Sequence, residues 1–409
     1  MATILPFKAV RPSRDKVSLI ASRAYESYTL EQREARLRDN PFSFLHIINP
    51  GFKYQKELTG NDRYQMVRNR YQEFKENGYF FQEQEPAFYI YKIVNRDGFA
   101  FHGIVALAST KDYQTNTIRK HEDTMQFREQ LFTEYLEVVG FNADPVLLTY
   151  PENPALKQII TQTLKERPEY EFTTTYRDTH YLWNVTDVDT VQKIHVLFSK
   201  MDALYIADGH HRCASSNLLA LQKETAKNTL KSYQYFMAFL IPETELQIFE
   251  FNRLVKDLNN LSKEAFLVKL DNVFRIEVLG QEYYRPQNKH DFSMYLDGSF
   301  YALSLRKDSH KITNALDALD AQILYETILK PILGITDARN DKRLAYSHGK
   351  NEMAYVKTVV DKGDFAVGFG LLPVTTTEIK QIADQGLTMP PKTTYIQPKL
   401  RSGVTIYEF

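Results

Sequence analysis

Apolar positions follow two different rhythms along this chain. Helical spacing appears at Tyr64, Val67, Tyr71 and Phe74, at Met125, Phe132, Leu136 and Val139, at Leu156, Ile159, Ile160 and Leu164, and at Val191, Ile194 and Phe198. Each set predicts a helix with one buried face. Polar residues mark the ends. Thr29 with Gln32 predicts a capping box for a helix reaching Arg38, Asn61 a second cap, Asn153-Pro154 a third start, and Asp187 or Asp189 a fourth. Asn77-Gly78 and Gly140 are the matching stops.

Between these helices lie short β-rich runs at 4–10, 42–48, 87–94, 99–108, 145–150 and 172–185. Asn95-Arg96-Asp97-Gly98 joins two of them as a hairpin. Further strands are expected at 233–241, 246–251, 274–278, 292–305 and 365–372, and helices at 315–332, at 377–384 and after Ser262. Strands interleaved with helices give an α/β (α+β) fold with mixed sheets, not a bundle. The expected division is 1–230 and 231–409, with polar stretches near 222–232 and 280–291 as junctions.

The stretch 202–223 is the hardest to explain by folding alone. Ala203 to Ile206 reads as a buried strand, and helical spacing resumes from Cys213. Between them stand Asp208, Gly209, His210, His211 and Arg212. Glycine at a strand-to-helix turn lets the backbone approach a ligand, and first-turn N–H groups attract anions. Two imidazoles and a guanidinium add donors suited to phosphate, while Asp208 suits a metal or a proton. The plain alternative is a helix cap with solvated basic residues. Cations at that end oppose the helix dipole, which favours a bound anion.

Charge and composition narrow the classes. The 51 basic and 51 acidic side chains cancel, so no chain-wide positive field draws nucleic acid. The single Cys213 forms no internal disulfide, which fits a cytoplasmic location, and no apolar run is long enough to span a membrane. Histidines lack the spacings of zinc sites, and no Walker loop, dinucleotide fingerprint or nucleophile elbow occurs.

Three further clusters carry chemistry. Arg119 and His121 suit an anion, with Glu122 for a metal or a proton; Glu122 and Asp123 also read as helix-start acids. The run 389–400 offers Lys392 and Lys399 to phosphate, facing opposite sides if it is one regular strand. Tyr25-Glu26 lies in an early loop, and Glu26 is a candidate base.

Together these residues resemble a known family. Pro6-Phe7 with Arg11-Pro12, Asn40-Pro41-Phe42-Ser43-Phe44-Leu45, Arg119-Lys120-His121-Glu122, Leu182-Trp183, the run from Ala207 to Arg212, Asn252-Arg253 and the run from Met389 to Lys399 match the domain of unknown function 1015 family. That family resembles the ParB/sulfiredoxin-like superfamily, whose Gly-x-x-Arg loop faces nucleotide phosphates. The resemblance implies a ParB/sulfiredoxin-like core and a free-serine kinase using Mg²⁺ with ATP, ADP or pyrophosphate. Where the family has Pro-Pro-Tyr-Asp-Val, this chain has Arg23-Ala24-Tyr25-Glu26-Ser27, which weakens Glu26 as counterpart of a catalytic carboxylate.

The leading expectation is therefore phosphorylation of free serine, with Gly209, His210, His211, Arg212, Arg119, His121, Lys392 and Lys399 on phosphate and Asp208, Glu122 and Glu26 as acid–base or metal groups. A non-catalytic nucleotide-binding regulator and a metal-dependent hydrolase are the alternatives. The expected partners are serine and the phosphate donor, with a homodimer among the assemblies this reading allows.

Overall fold

The computed structural model describes residues 1–225, 231–348 and 352–409. The mixed α/β class expected from the strand and helix rhythm is the class observed. Two compact units form: Met1–Lys120, Thr124–Leu246 and Pro398–Phe409 make the first, His121–Asp123 and Gln247–Gln397 the second.

The first unit is built on a nine-stranded sheet. Its order is Ile118–Arg119, Leu204–Asp208, Val146–Tyr150, Tyr235–Pro242, Ala100–Ser109, Phe88–Val94, Thr179–Val185 and Tyr170–Thr173, with Ile4–Leu5 added beside Ala100–Ser109. Strands Ile118–Arg119 and Val146–Tyr150 run parallel to their neighbours Leu204–Asp208 and Tyr235–Pro242, and the other pairs are antiparallel. One face is apolar: Ile90, Ile104, Leu148, Ile206 and Leu240 pack under Ile160, Ile194 and Phe198 of two helices. Cys213 lies in this same apolar layer.

Because cross-strand partners share a face, register identifies what the opposite face carries. One row runs Asp208, Leu147, Phe239, Val105, Tyr89 and Asn184. Beside it lie Arg119, Tyr205 and Thr149 at one side and Gly103, Tyr91 and Leu182 at the other. Gly103 is required there, since a Cβ would come within 2.5 Å of the Phe239 ring and the Leu240 carbonyl oxygen. Gly103→Ala is expected to lower stability by about 1–3 kcal/mol through overpacking. The check is a urea midpoint shifted down at constant slope, and an unchanged midpoint would contradict it.

The second unit carries a six-stranded sheet ordered Phe274–Gly280, Ser299–Leu305, Asp291–Leu296, Val367–Gly370, Phe251–Val255 and Leu344–His348. Phe266, Leu270, Phe292, Met294, Leu324 and Val367 are among its core residues.

Several expectations need correcting. Residues 42–48 are not a strand: Leu45–Ile48 is a helical turn, begun by Ser43, whose Oγ accepts the Leu45 N–H at 3.3 Å. The run 4–10 splits into Ile4–Leu5 and Val10–Pro12, and 172–185 into the antiparallel strands Tyr170–Thr173 and Thr179–Val185, joined through Arg177 at φ 64°. Residues 315–332 contain only the helix Asp320–Leu324, which widens into i→i+5 bonding over Tyr325–Leu329. The run 246–251 divides at Glu250, because Gln247–Phe249 pairs with Tyr395–Gln397 while Phe251–Val255 joins the six-stranded sheet.

Candidate functional site

The strand Leu204–Asp208 ends on Asp208 and the helix His210–Thr225 starts two residues on. Gly209 makes the turn at φ 100°, a conformation L side chains rarely adopt, and its carbonyl accepts the Cys213 N–H at 3.0 Å. Space matters as much as dihedral angle: a Cβ on Gly209 would sit 3.0 Å from the Arg212 guanidinium. The glycine lets this side chain fold back over the turn.

Three groups converge on the Asp208 carboxylate. Lys399 Nζ donates to Oδ2 at 3.1 Å, Arg212 Nη2 lies 3.6 Å from the same oxygen, and the Gly209 N–H adds a backbone bond. Arg212 Nη1 donates to the Pro145 carbonyl at 2.5 Å, which fixes the guanidinium in place. Desolvation is the largest single influence on Asp208 and pushes its carboxyl up. The Lys399 and Arg212 charges with the two hydrogen bonds outweigh it, so the group titrates below the ordinary aspartate range. At 40% side-chain exposure the carboxylate is nevertheless open to a ligand.

The helix begins at His210, not at Cys213 as its spacing suggested, so His210, His211 and Arg212 occupy the first turn. His210 is buried, His211 half-buried. Part of the charge opposing the helix dipole is offset from within, by Asp208 four residues before Arg212. Arg119 sits on the edge strand in register with Tyr205, its guanidinium 5.8 Å from that ring, on the sheet face that carries Asp208. Glu26 is exposed in the turn Tyr25–Ser27.

The remaining expected residues belong to the second unit. The His121 carbonyl accepts the Met389 N–H at 2.9 Å, and Glu122 adjoins Asp123, which accepts from Thr388 Oγ1 at 3.2 Å. Lys392, at φ 55°, lies over the Phe251 ring at 5.5 Å. The run 389–400 is therefore not one strand with lysines on opposite faces: only Tyr395–Gln397 is extended and paired, and Lys392 and Lys399 fall in different units.

Sequence reasoning passed over the group at the other side of the first unit's sheet. Arg401, two residues after Lys399, pairs with Asp178 at the start of strand Thr179–Val185, beside His180 and Tyr91. Lys399 and Arg401 thus reach carboxylates five strand positions apart. The near-alternation of polar and aromatic residues at 178–183 was the available signal.

Other motif residues serve the fold. Buried Arg11 holds Glu83 and lies 4.8 Å from the Tyr170 ring, and Trp183 donates to the Glu166 carbonyl at 2.9 Å. Among the described residues no three His, Cys, Asp or Glu side chains gather as a metal site, and no helix is long and apolar enough to cross a membrane. A cavity of about 140 Å³ bounded by His102, Glu152, Lys157 and Glu245 includes none of the expected site residues.

Comparison with solved structures finds a free serine kinase in complex with AMP. It is 15% identical at TM-score 0.37, covering 73% of this chain and 91% of that one. A conserved hypothetical protein from Pyrococcus furiosus is 14% identical at TM-score 0.36, covering 74% and 93%. SbnI with C-terminal truncation from Staphylococcus aureus is 12% identical at TM-score 0.39, covering 73% and 85%. No curated protein matches. Likeness at this level leaves the function to be argued from the site. The sequence itself is decisive about kinship: residues 4–322 match the family described as protein of unknown function (DUF1015), and the chain belongs to that family.

Proposed function

We propose that the protein is a small-molecule kinase that moves a phosphoryl group from ATP, ADP or pyrophosphate to the hydroxyl of free serine, giving O-phosphoserine. The observation that carries this reading is the turn at Gly209, where an accessible carboxylate, a guanidinium folded over the backbone and a lysine meet at the start of a 16-residue helix. Such helix starts present N–H groups without intrahelical partners and attract phosphate. Phosphoryl transfer asks mainly for positioning and charge stabilisation, which these groups supply.

In this reading Arg212 and Lys399 hold donor phosphate oxygens, helped by His210, His211 and by Arg119 on the same sheet face. Asp208, ionised and half-exposed, is released from its two cations as phosphate takes them over. Mg²⁺ is usually held by one or two carboxylates together with phosphate oxygens, a need Asp208 fits, and it would neutralise charge on the transferred group. Asp208 or Glu26 accepts the proton of the serine hydroxyl.

The test is incubation of the purified protein and Mg²⁺ with L-serine and, separately, ATP, ADP and pyrophosphate, read by phosphorus NMR. Phosphoserine with at least one donor is expected. Its absence with all three overturns the kinase, and nucleotide binding without turnover would favour a non-catalytic regulator.

A further inference from the structure

The sheet face that carries Asp208 also carries a second polar group whose hydrogen bonds are incomplete. His180 is 0% exposed, its ring stacked between Phe172 and Tyr91 at centroid distances of 5.0 and 5.8 Å. Nδ1 lies 2.8 Å from the Tyr91 hydroxyl, and Nε2 has no partner. Arg401 is 6% exposed; Nη2 bonds Asp178 and also reaches Thr174 Oγ1 at 3.4 Å, yet Nε has no partner either. A buried donor left without an acceptor forfeits its hydration for nothing, so two in one neighbourhood call for an explanation.

The Arg401 orphan is a donor, since a guanidinium Nε–H can only donate. His180 supplies a second in the tautomer whose Nδ1 accepts the Tyr91 hydroxyl proton and whose own proton sits on Nε2, the form a bound anion selects. The local charge is also unbalanced. Arg23 lies 4.6 Å and Arg401 5.6 Å from the centroid of the same Tyr176 ring, but Asp178 pairs with Arg401 and Arg23 makes no ion pair among the described residues. Two guanidinium charges and one carboxylate leave one positive charge, the complement of a monoanion. A phosphate dianion would overfill it, and an uncharged group held there would leave it unmatched.

We propose that Arg401, His180 and Arg23 form a carboxylate subsite for a small monocarboxylate. Arg401 Nε–H and His180 Nε2–H grip the two oxygens, and Arg23 supplies the balancing charge. Under the kinase reading, on which this identification of the ligand rests, the group held is the α-carboxylate of the amino-acid acceptor.

The experiment measures binding to the full-length protein by titration calorimetry and NMR, using L-serine, ethanolamine (which lacks the carboxylate) and propionate (which keeps only that group). L-serine and propionate should bind and ethanolamine should not. Arg23→Gln and His180→Gln should each weaken both carboxylates about tenfold or more while ADP binding stays unchanged. Arg401→Gln removes a buried side chain that holds the half-buried Asp178 and risks misfolding, so the half-buried Arg23 provides the variant that keeps the test readable. Equal binding of ethanolamine and L-serine, unchanged L-serine affinity in both variants, or no carboxylate binding by protein that binds ADP overturns the subsite. The two readings separate cleanly. Carboxylate binding without phosphoserine from any donor removes the kinase and leaves the subsite, whereas phosphorylation of ethanolamine as readily as serine does the reverse.

Discussion

Arg212→Ala is expected to reduce phosphoserine formation about a thousandfold, the scale on which a guanidinium stabilises a transferring phosphoryl group. The loss should appear mostly in kcat, because charge on the phosphoryl oxygens develops most fully at the transition state. Little of it should come from unfolding. The pair with Asp208 spans 3.6 Å between side chains 36% and 40% exposed, so solvent screening leaves it worth well under 1 kcal/mol. The bond to the Pro145 carbonyl contributes about 1 kcal/mol more. Folded Arg212→Ala protein that retains turnover within a factor of three would remove this side chain from the mechanism. Lys399→Met provides a contrast: it takes the hydrogen-bonded partner from Asp208, so its carboxyl should titrate higher and the acid limb of the rate profile should move toward neutral pH.

How legible this site was depended on how local its causes are. The Thr29–Gln32 capping box, the Asn153 and Asp187 caps and the hairpin through residues 95–98 appear where the sequence placed them, because each is decided by side chains within a few positions. The turn at Gly209 was also readable, since glycine between an apolar run and a helix has few other uses. The start of its helix was not. Spacing counts only buried positions, and His211 and Arg212 in the first turn point partly to solvent. Residues 42–48 misled for the converse reason: strand-favouring side chains were captured by a helical turn that Ser43 begins. Partners far apart in the chain were invisible in principle. Lys399 meets Asp208 across 191 positions and Arg401 meets Asp178 across 223, and no periodicity encodes such closure. The C-terminal run therefore looked like one extended phosphate-binding strand, whereas chain direction sends Lys392 to one unit and Lys399 to the other.

Stability should fall steeply in mild acid, with His180 as a main cause. Burial holds its imidazole at about 3, and the nearby Arg401 charge pushes the same way. Asp178 is paired with Arg401, and the Tyr91 phenol, raised by burial, stays neutral. The sign follows from where the proton goes: the unfolded chain takes it up near the ordinary value of about 6.5, the folded one only near 3. Full stability is thus present above about 6.5 and decays as pH falls below it, by up to about 1.4 kcal/mol per pH unit. His46, lowered by burial, adds to this trend, so the variant must isolate His180. Between pH 6.5 and 4.5 the wild type should lose about 2 kcal/mol more than His180→Gln in urea titrations. Parallel curves for the two proteins would show that His180 takes up a proton without cost, and a ring that does so cannot be sealed between Tyr91 and Phe172. A bound carboxylate should oppose the loss, because it offers the protonated ring an anion that the empty fold withholds. Propionate, at saturating concentration, is therefore expected to flatten the wild-type slope and leave that of His180→Gln unaltered.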